Sequence, residues 1–303
     1  MASREDPPSV HEAAGCLSIV GTPIGNLGDM SPRAIEALRS ADVILCEDTR
    51  VTSKLLAAFD VHVRLERADE NVLVERIPGV LDRLRAGEHV AFVSDAGMPG
   101  VSDPGQRLVD AALDAGLHVE VVPGPSAVTT ALVASGLSSE HFFFEGFLPR
   151  RASALKARLE ELAAVPATLV VYESPHRVAA TLAQVAQVMP LRRVALVREL
   201  TKVHEEVVRG TAGELAARIA ERDEIRGECV IVIAAPDASE LAERSRASTN
   251  AASEFTLEEA IQAGLAAGES KSALAKRLAA AYSISRSEAY DAVVAAASKI
   301  DSD

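Results

Sequence analysis

Short apolar runs alternate with amphipathic stretches along most of this chain, as far as about residue 235. The runs "LSIV" (17–20), "DVILCE" (42–47), "VHVRLE" (61–66), "HVAFVS" (89–94) and "LHVEVV" (117–122) have the length and β-branched content of strands. Between them lie helical patterns. "SPRAIEALRSA" offers Ser31 as a cap, Pro32 at the first helical position, and Ile35 and Leu38 on a buried face. "VLVERIPGVLDRLRAG" is helical up to Gly87, with Pro78 a point of kinking or breakage. "PGQRLVDAALDAG" and "PGPSAVTTALVASG" complete the alternation, which is that of crossover helices over a parallel sheet.

The pattern then changes. "FFFEGFLP" (142–149) is aromatic, and its Phe142–Phe144 run reads as core. A charged helix, "RRASALKARLEELAA", follows, then strand-like "ATLVVYESPHR", "RRVALVREL", "VHEEVVRG" and "GECVIVIAA". The polar–apolar alternation of "HEEVVRG" predicts an antiparallel edge or hairpin. The expected organisation is a disordered tail (1–15), an N-terminal α/β domain (16–123), a C-terminal α/β domain (124–236), a linker (237–254) and a helical region (255–303). In the last, "SKSALAKRLAAAYSISRSEAYDAVV" reads as a helix-turn-helix, or equally as a small helical cap.

Composition narrows the classes. At 48% hydrophobic and 25% charged the chain is an ordinary globular one, and no apolar run reaches the ~20 residues of a membrane span. With no apolar signal core at its start, a cytoplasmic location is expected. The net charge of −13 counts against a surface coated for non-specific nucleic-acid binding but allows a local basic patch. Cys16, Cys46 and Cys229 are scattered, without metal-ligand spacing, and read as buried small hydrophobes.

Three Gly/Pro-rich turns each follow a strand: "VGTPIGNLGD" (20–29), "SDAGMPGVSDPG" (94–105) and "VPGPSAV" (122–128). At the carboxyl edge of one parallel sheet they would line one crevice. None carries G-x-G-x-x-G or the Gly-Lys-Ser/Thr of a phosphate loop, so dinucleotide and NTP binding lose their support. Asp95 can accept from ribose hydroxyls or an ammonium, the Ala96–Gly97 backbone can lie against a ring, and Ser102 or Asp103 is a helix cap. Ser126 reads as a cap of its helix, as does Ser174 in "VVYESPHRV" (170–178), where Tyr172, Glu173, His176 and Arg177 gather at a strand end. "CEDTRVTSK" (46–54) and "VRELTKVHEE" (197–206) add Glu47, Asp48, Arg50, Arg198, Glu199, Lys202 and His204, as ion pairs or as part of a site.

Seven stretches occur in a distinctive order: "VGTPIGNLGDMSPRAIEAL", "CEDTRVTSKLL", "SDAGMPGVSDPG", "VPGPSA", "GFLPR", "YESPHR" and "RELTKVHEE". In these, over about residues 16–235, the chain resembles the RsmI family of bacterial 16S rRNA (cytidine-2′-O)-methyltransferases, within the tetrapyrrole-methylase (class III methyltransferase) superfamily. The first two loops depart from the superfamily's usual GxGPG and GGDP, reading GTPIG and SDAG. The resemblance implies two α/β domains with S-adenosyl-L-methionine in the cleft between them, a homodimer, and a cytidine ribose 2′-hydroxyl of 16S rRNA in the small ribosomal subunit as acceptor. It implies cofactor contacts at Ile24, Asp95, Ala96, Gly97, Val101, Ser126, Ala127, Glu173 and Gly227.

The chemistry is consistent with this. A sulfonium donor needs no phosphate cradle, and the hydroxyl acceptor needs a base or a stabilising cation. Glu173, His176, Glu199 and Lys202 are the catalytic candidates, with Asp48 and Arg50 as positioning groups. Arg150 and Arg151, with Lys156 and Arg158, lie beside Phe147 and suit phosphate contacts and base stacking; Arg177 joins them as a substrate contact. Two rival readings remain. One is a tetrapyrrole or corrin methylase, disfavoured by "YESPHR" and "GFLPR"; the other is a non-catalytic nucleic-acid-binding protein acting through 255–300, disfavoured by its sparse basic residues.

Overall fold

The computed structural model describes residues 15–103, 105–241, 256–282 and 284–300. The expected N-terminal tail except Gly15, most of the expected linker and Pro104 lie outside the described residues. Of the described residues, those up to 160 together with 167–234 form one compact unit, and 161–166 with those from 235 onward a second.

The first unit holds two five-stranded sheets. Strands β1 (Cys16–Val20), β2 (Val43–Cys46), β3 (Leu65–Arg67), β4 (His89–Val93) and β5 (His118–Val122) form a wholly parallel sheet in the order β3-β2-β4-β1-β5. From β1 the chain runs to β2 on one side; from β4 it runs to β5 on the other. Crossovers of one hand therefore cover opposite faces. Helices α1 (Pro32–Ser40) and α2 (Thr49–Ala58) bury Ala34, Leu38 and Leu56 against one face. Helices α3 (Glu70–Arg85) and α4 (Gly105–Asp114) bury Leu73, Val80, Leu84, Leu108 and Ala112 against the other. The reversal opens a crevice at the carboxyl ends of β1 and β4.

Local chemistry sets the boundaries. Ser31 accepts from the Ala34 N–H and Pro32 opens α1, as expected. Pro78 does not end α3; the half-exposed Val74, whose carbonyl loses its donor, lies where water can serve it. The third strand starts later than "VHVRLE" predicts, because only Leu65–Arg67 pairs with β2. Strand β5 is an edge and largely exposed, unlike the buried strands around it.

The second sheet comprises β6 (Phe142–Phe147), β7 (Thr168–Glu173), β8 (Arg193–Arg198), β9 (Glu206–Thr211) and β10 (Cys229–Ile233), ordered β6-β7-β10-β8-β9. β6 runs parallel to β7; β10 is antiparallel to both β7 and β8, and β8–β9 is the expected antiparallel pair. Helix α5 (Ala127–Ser135) packs on this sheet, and α6 (Ala152–Leu162), α7 (Val178–Val188) and α8 (Ala212–Ala220) complete it. The reading of Phe142–Phe144 as core is corrected here. β6 is an edge strand, and Phe142 and Phe143 are 45% and 38% exposed, with only Phe144 packed inward.

In the second unit, α9 (Leu257–Ala266), α10 (Lys271–Tyr282) and α11 (Arg286–Ile300) pack around Ile261, Leu274, Leu278, Ala289 and Val293. No helix of the described residues is long and apolar enough to cross a membrane.

Candidate functional site

Because β1 lies between β4 and β5, the three Gly/Pro-rich loops leave neighbouring strand ends. Two backbone interactions join them. Thr22 and Gly97 exchange hydrogen bonds (Thr22 N–H to Gly97 O, 2.9 Å; Gly97 N–H to Thr22 O, 3.2 Å), bridging the first loop to the second. Gly21 and Gly124 meet backbone to backbone, so a Cβ on Gly21 would stand 2.6 Å from Gly124 Cα. The Gly124 N–H also points at Met98 Sδ, 3.1 Å away. Glycine is required at both positions by close approach.

Ile24 then carries the first loop into the second sheet. Only 6% exposed, it joins Val128, Leu132, Val170, Val197 and Val230 in one core cluster, a burial that contributes roughly 1.5–3 kcal/mol. The second sheet brings its own ends to the same place. β10 opposes β7 and β8, so Cys229 pairs with Glu173 on one side and Arg198 on the other, beside the end of β6.

A cleft of about 370 Å³ lies between these loops and strand ends. From the first sheet come Ile24, then Ala96, Gly97 and Val101; Ser126 and Ala127 open α5. From the second come Phe147, Tyr172, Glu173, Gly227, Glu228 and Cys229. Eight of the nine residues singled out for cofactor contact thus border one cavity. Asp95 does not. Its carboxylate accepts the Asp48 N–H (3.1 Å), and its own N–H donates to Glu47 Oε1 (3.2 Å), on the side facing α2. Ser126 occupies the N-cap position of α5 without a side-chain cap bond, contrary to its reading as a cap. Ser174 is not the N-cap of α7 either; Arg177 is, and Ser174 borders the cleft. Asp103 is structural, accepting from the Gly100 and Gly105 N–H groups.

Among the described residues, the cavity walls include two carboxylates, Glu173 and Glu228, and no Lys, Arg or His. Glu173 is 3% exposed; Oε1 accepts the Ser174 N–H (2.8 Å) and Oε2 the Thr181 hydroxyl (2.7 Å), with Arg177 at 3.4 Å. Arg177 is also bound to the Leu148 and Pro149 carbonyls, fastening the end of "GFLP" to the start of α7. Burial pushes the Cys229 thiol up to about 11. A thiol raised by folding stabilises the fold below its unfolded value, and that contribution is lost as pH climbs from about 9 to about 11. Unfolding titrations should show stability falling in that window, and a Cys229→Ser variant should lack the fall.

The remaining candidates fall at two distances. Lys202 bonds Glu199 (2.8 Å) and Glu228 (3.2 Å) behind the Gly227 wall. The hydrogen bond from Lys202 holds the Glu199 carboxyl below its usual range. Burial alone would lower the Lys202 ammonium, but its bonds to Glu199 and Glu228 outweigh this and raise it. His176 is exposed and outside the cleft lining. Asp48 caps α2 and grips Arg50 through two bonds (3.0 and 2.6 Å), which holds its carboxyl well below the usual range. Phe147, 61% exposed, stands at the cleft edge against Tyr172 (centroids 5.7 Å), and Arg150 and Arg151 follow it on the surface. Tyr172 and Glu228, which the sequence did not mark as cleft walls, are brought there by partners distant in the chain: Tyr172 by its register opposite Val230, Glu228 by its bonds to Glu199 and Lys202.

The sequence model of the family described as Tetrapyrrole (Corrin/Porphyrin) Methylases matches residues 17–216. The chain belongs to the tetrapyrrole methylase family. It is 40% identical to the ribosomal RNA small subunit methyltransferase I of Streptococcus pyogenes serotype M1, over 92% of this chain and 94% of that protein. It is 48% identical to the protein of that name from Mycobacterium bovis, over 73% and 78%. Solved structures share the fold. Uroporphyrin-III C-methyl transferase from Thermus thermophilus, complexed with S-adenyl homocysteine, matches at TM-score 0.52 and 23% identity over 73% of this chain and 97% of its own. A diphthine synthase matches at 0.59 and 17%, over 76% and 94%.

Proposed function

We propose that this protein transfers a methyl group from S-adenosyl-L-methionine to the ribose 2′-hydroxyl of a cytidine in 16S rRNA of the small ribosomal subunit. The observation that carries the donor assignment is the cleft itself: apolar walls, two carboxylates and no basic side chain among the described lining residues. Apolar walls of that kind suit a nucleoside, and the described lining holds no Lys or Arg to pair with a phosphate. Curated relatives covering most of the chain, all named for small-subunit rRNA methylation, support the acceptor class.

Ile24, Ala96, Gly97, Val101, Ser126, Ala127 and Gly227 would hold the donor, with Glu173 supporting the cleft wall and Asp95 orienting the second loop from its outer side through Asp48 and Glu47. When bound, S-adenosyl-L-methionine supplies an electrophilic methyl group on a sulfonium. The protein's own contribution is positioning, because in-line displacement demands a fixed approach of the acceptor. Glu173 has both oxygens committed to Ser174 and Thr181, so its part is to hold the β7–α7 turn.

Phe147, Arg150 and Arg151 form the acceptor side, Phe147 as a stacking surface and the arginines as phosphate contacts. Arg177 supports them from beneath, and Asp48 with Arg50 flanks the second loop. Action on ribosomal subunits supports a cytoplasmic location, and a homodimer is the proposed assembly. Phe147→Ala is expected to lower kcat/KM for small subunits about tenfold or more, at ~1–3 kcal/mol per stacked base. Affinity for S-adenosylhomocysteine should fall less than the RNA term. Steady-state methylation and calorimetry would check this; equal losses in both would remove Phe147 from the RNA side.

A further inference from the structure

The turn between β8 and β9 is built at a cost that its connecting role does not explain. Glu199 and Thr201, neither of them glycine, have φ of +52° and +65°. Such residues are strained and persist only where their surroundings over-determine them. Here the surroundings are two walls of the cleft.

Towards the second sheet, Glu199 N–H donates to the Glu228 carbonyl (2.9 Å), and Glu199 Oε1 accepts the Glu228 N–H (3.1 Å). The same carboxylate lies over Gly227, where a Cβ would overlap it. Towards the first sheet, the Lys202 methylenes lie against Gly25: a Cβ there would stand 2.6 Å from Lys202 Cγ and 3.0 Å from Leu200 O. Lys202 Nζ then bonds both Glu199 Oε1 (2.8 Å) and Glu228 Oε2 (3.2 Å). Ile24, next to Gly25, and Gly227 both border the cavity, while Lys202 itself does not.

We propose that Lys202 is a positioning residue which, through Glu199 and Glu228, sets the separation of the Ile24–Gly25 and Gly227–Cys229 walls and so governs affinity for the methyl donor. It moves no proton in the transfer: an ammonium held between two carboxylates and set back from the cavity is neither free to release its proton nor placed to deliver it. The inference rests on the donor site proposed above.

The test compares wild type, Lys202→Met, Glu199→Gln and the double variant. In Lys202→Met two carboxylates face each other without their cation, and Glu199→Gln removes that repulsion while keeping an oxygen for the Glu228 N–H. Lys202→Met should weaken S-adenosylhomocysteine binding roughly tenfold to hundredfold, raise KM for the donor in parallel, and leave kcat at saturating donor within about threefold. The double variant should regain most of the lost affinity. Hydrogen exchange, which needs no ligand, should speed up in Lys202→Met at 24–25 and at 227–229 together. A thousandfold fall in kcat with donor affinity intact would overturn the proposal in favour of a proton-transfer role. Strictly additive single and double variants, or unchanged exchange in both walls, would overturn it outright. Should wild type fail to bind S-adenosylhomocysteine, the donor site falls, and the exchange result still decides whether Lys202 ties the walls.

Discussion

Gly124→Ala is expected to abolish measurable S-adenosylhomocysteine binding, a loss of about a hundredfold or more, and to lower Tm by roughly 5–10 °C. The new Cβ would stand 2.7 Å from the Gly21 backbone, a contact no rotamer change can relieve, because both partners are main chain. The first and third loops must separate, carrying Ile24 away from Ser126 and Ala127 across the cleft. Overpacking of this kind costs about 1–3 kcal/mol in stability. The geometric loss is larger than the energetic one, since a displacement of an ångström at a positioned site is worth orders of magnitude. Gly79→Ala is the control. Beyond its chain neighbours and the backbone of its own helix, nothing lies within 4 Å of its Cβ position in α3, so it should leave binding unchanged and raise stability by up to about 1 kcal/mol. Calorimetry and thermal melts on the two variants read both effects. Wild-type affinity in Gly124→Ala would contradict the assembly of the cleft from abutting loops.

Glu173 separates a structural carboxylate from a catalytic one. Glu173→Ala removes the acceptor for the Ser174 N–H and the Thr181 hydroxyl, and the nearest carboxylate to Arg177. Breaking a buried charged network in this way costs about 3–5 kcal/mol. Glu173→Gln keeps one oxygen for Ser174, while Thr181 can turn to accept from the amide. Its cost should be about 1–3 kcal/mol. If Glu173 holds the β7–α7 turn, Glu173→Gln should keep methylation within about tenfold of wild type at a temperature where it is folded. If it were the general base, that variant would lose about 10²–10⁴-fold with its fold intact. Denaturant titration beside single-turnover methylation distinguishes the two.

Much of the fold was legible in the sequence because it is local. Ser31–Pro32 starts α1, "HVAFV" has the near-continuous apolar content of a strand covered on both faces, and "HEEVVRG" alternates as a hairpin strand must. The loops were legible as a set since Gly and Pro are needed where backbones touch, and Gly21 and Gly124 do touch. What escaped depends on partners distant in sequence. That Phe142 and Phe143 lie on an edge strand, that Glu228 faces Lys202, and that Tyr172 walls the cleft all follow from strand order and register. Asp95 shows the limit most clearly. Its place after β4 was legible, but the bond from the Asp48 N–H to one of its carboxylate oxygens was not, because β2 lying beside β4 sets it.

The most direct measurement is to incubate the purified chain with tritium-labelled S-adenosyl-L-methionine and small ribosomal subunits lacking the modification, digest the 16S rRNA, and identify the labelled nucleoside. The account predicts label in a single 2′-O-methylcytidine. Label on a base, in a tetrapyrrole or corrin precursor supplied in parallel, or in neither would contradict it.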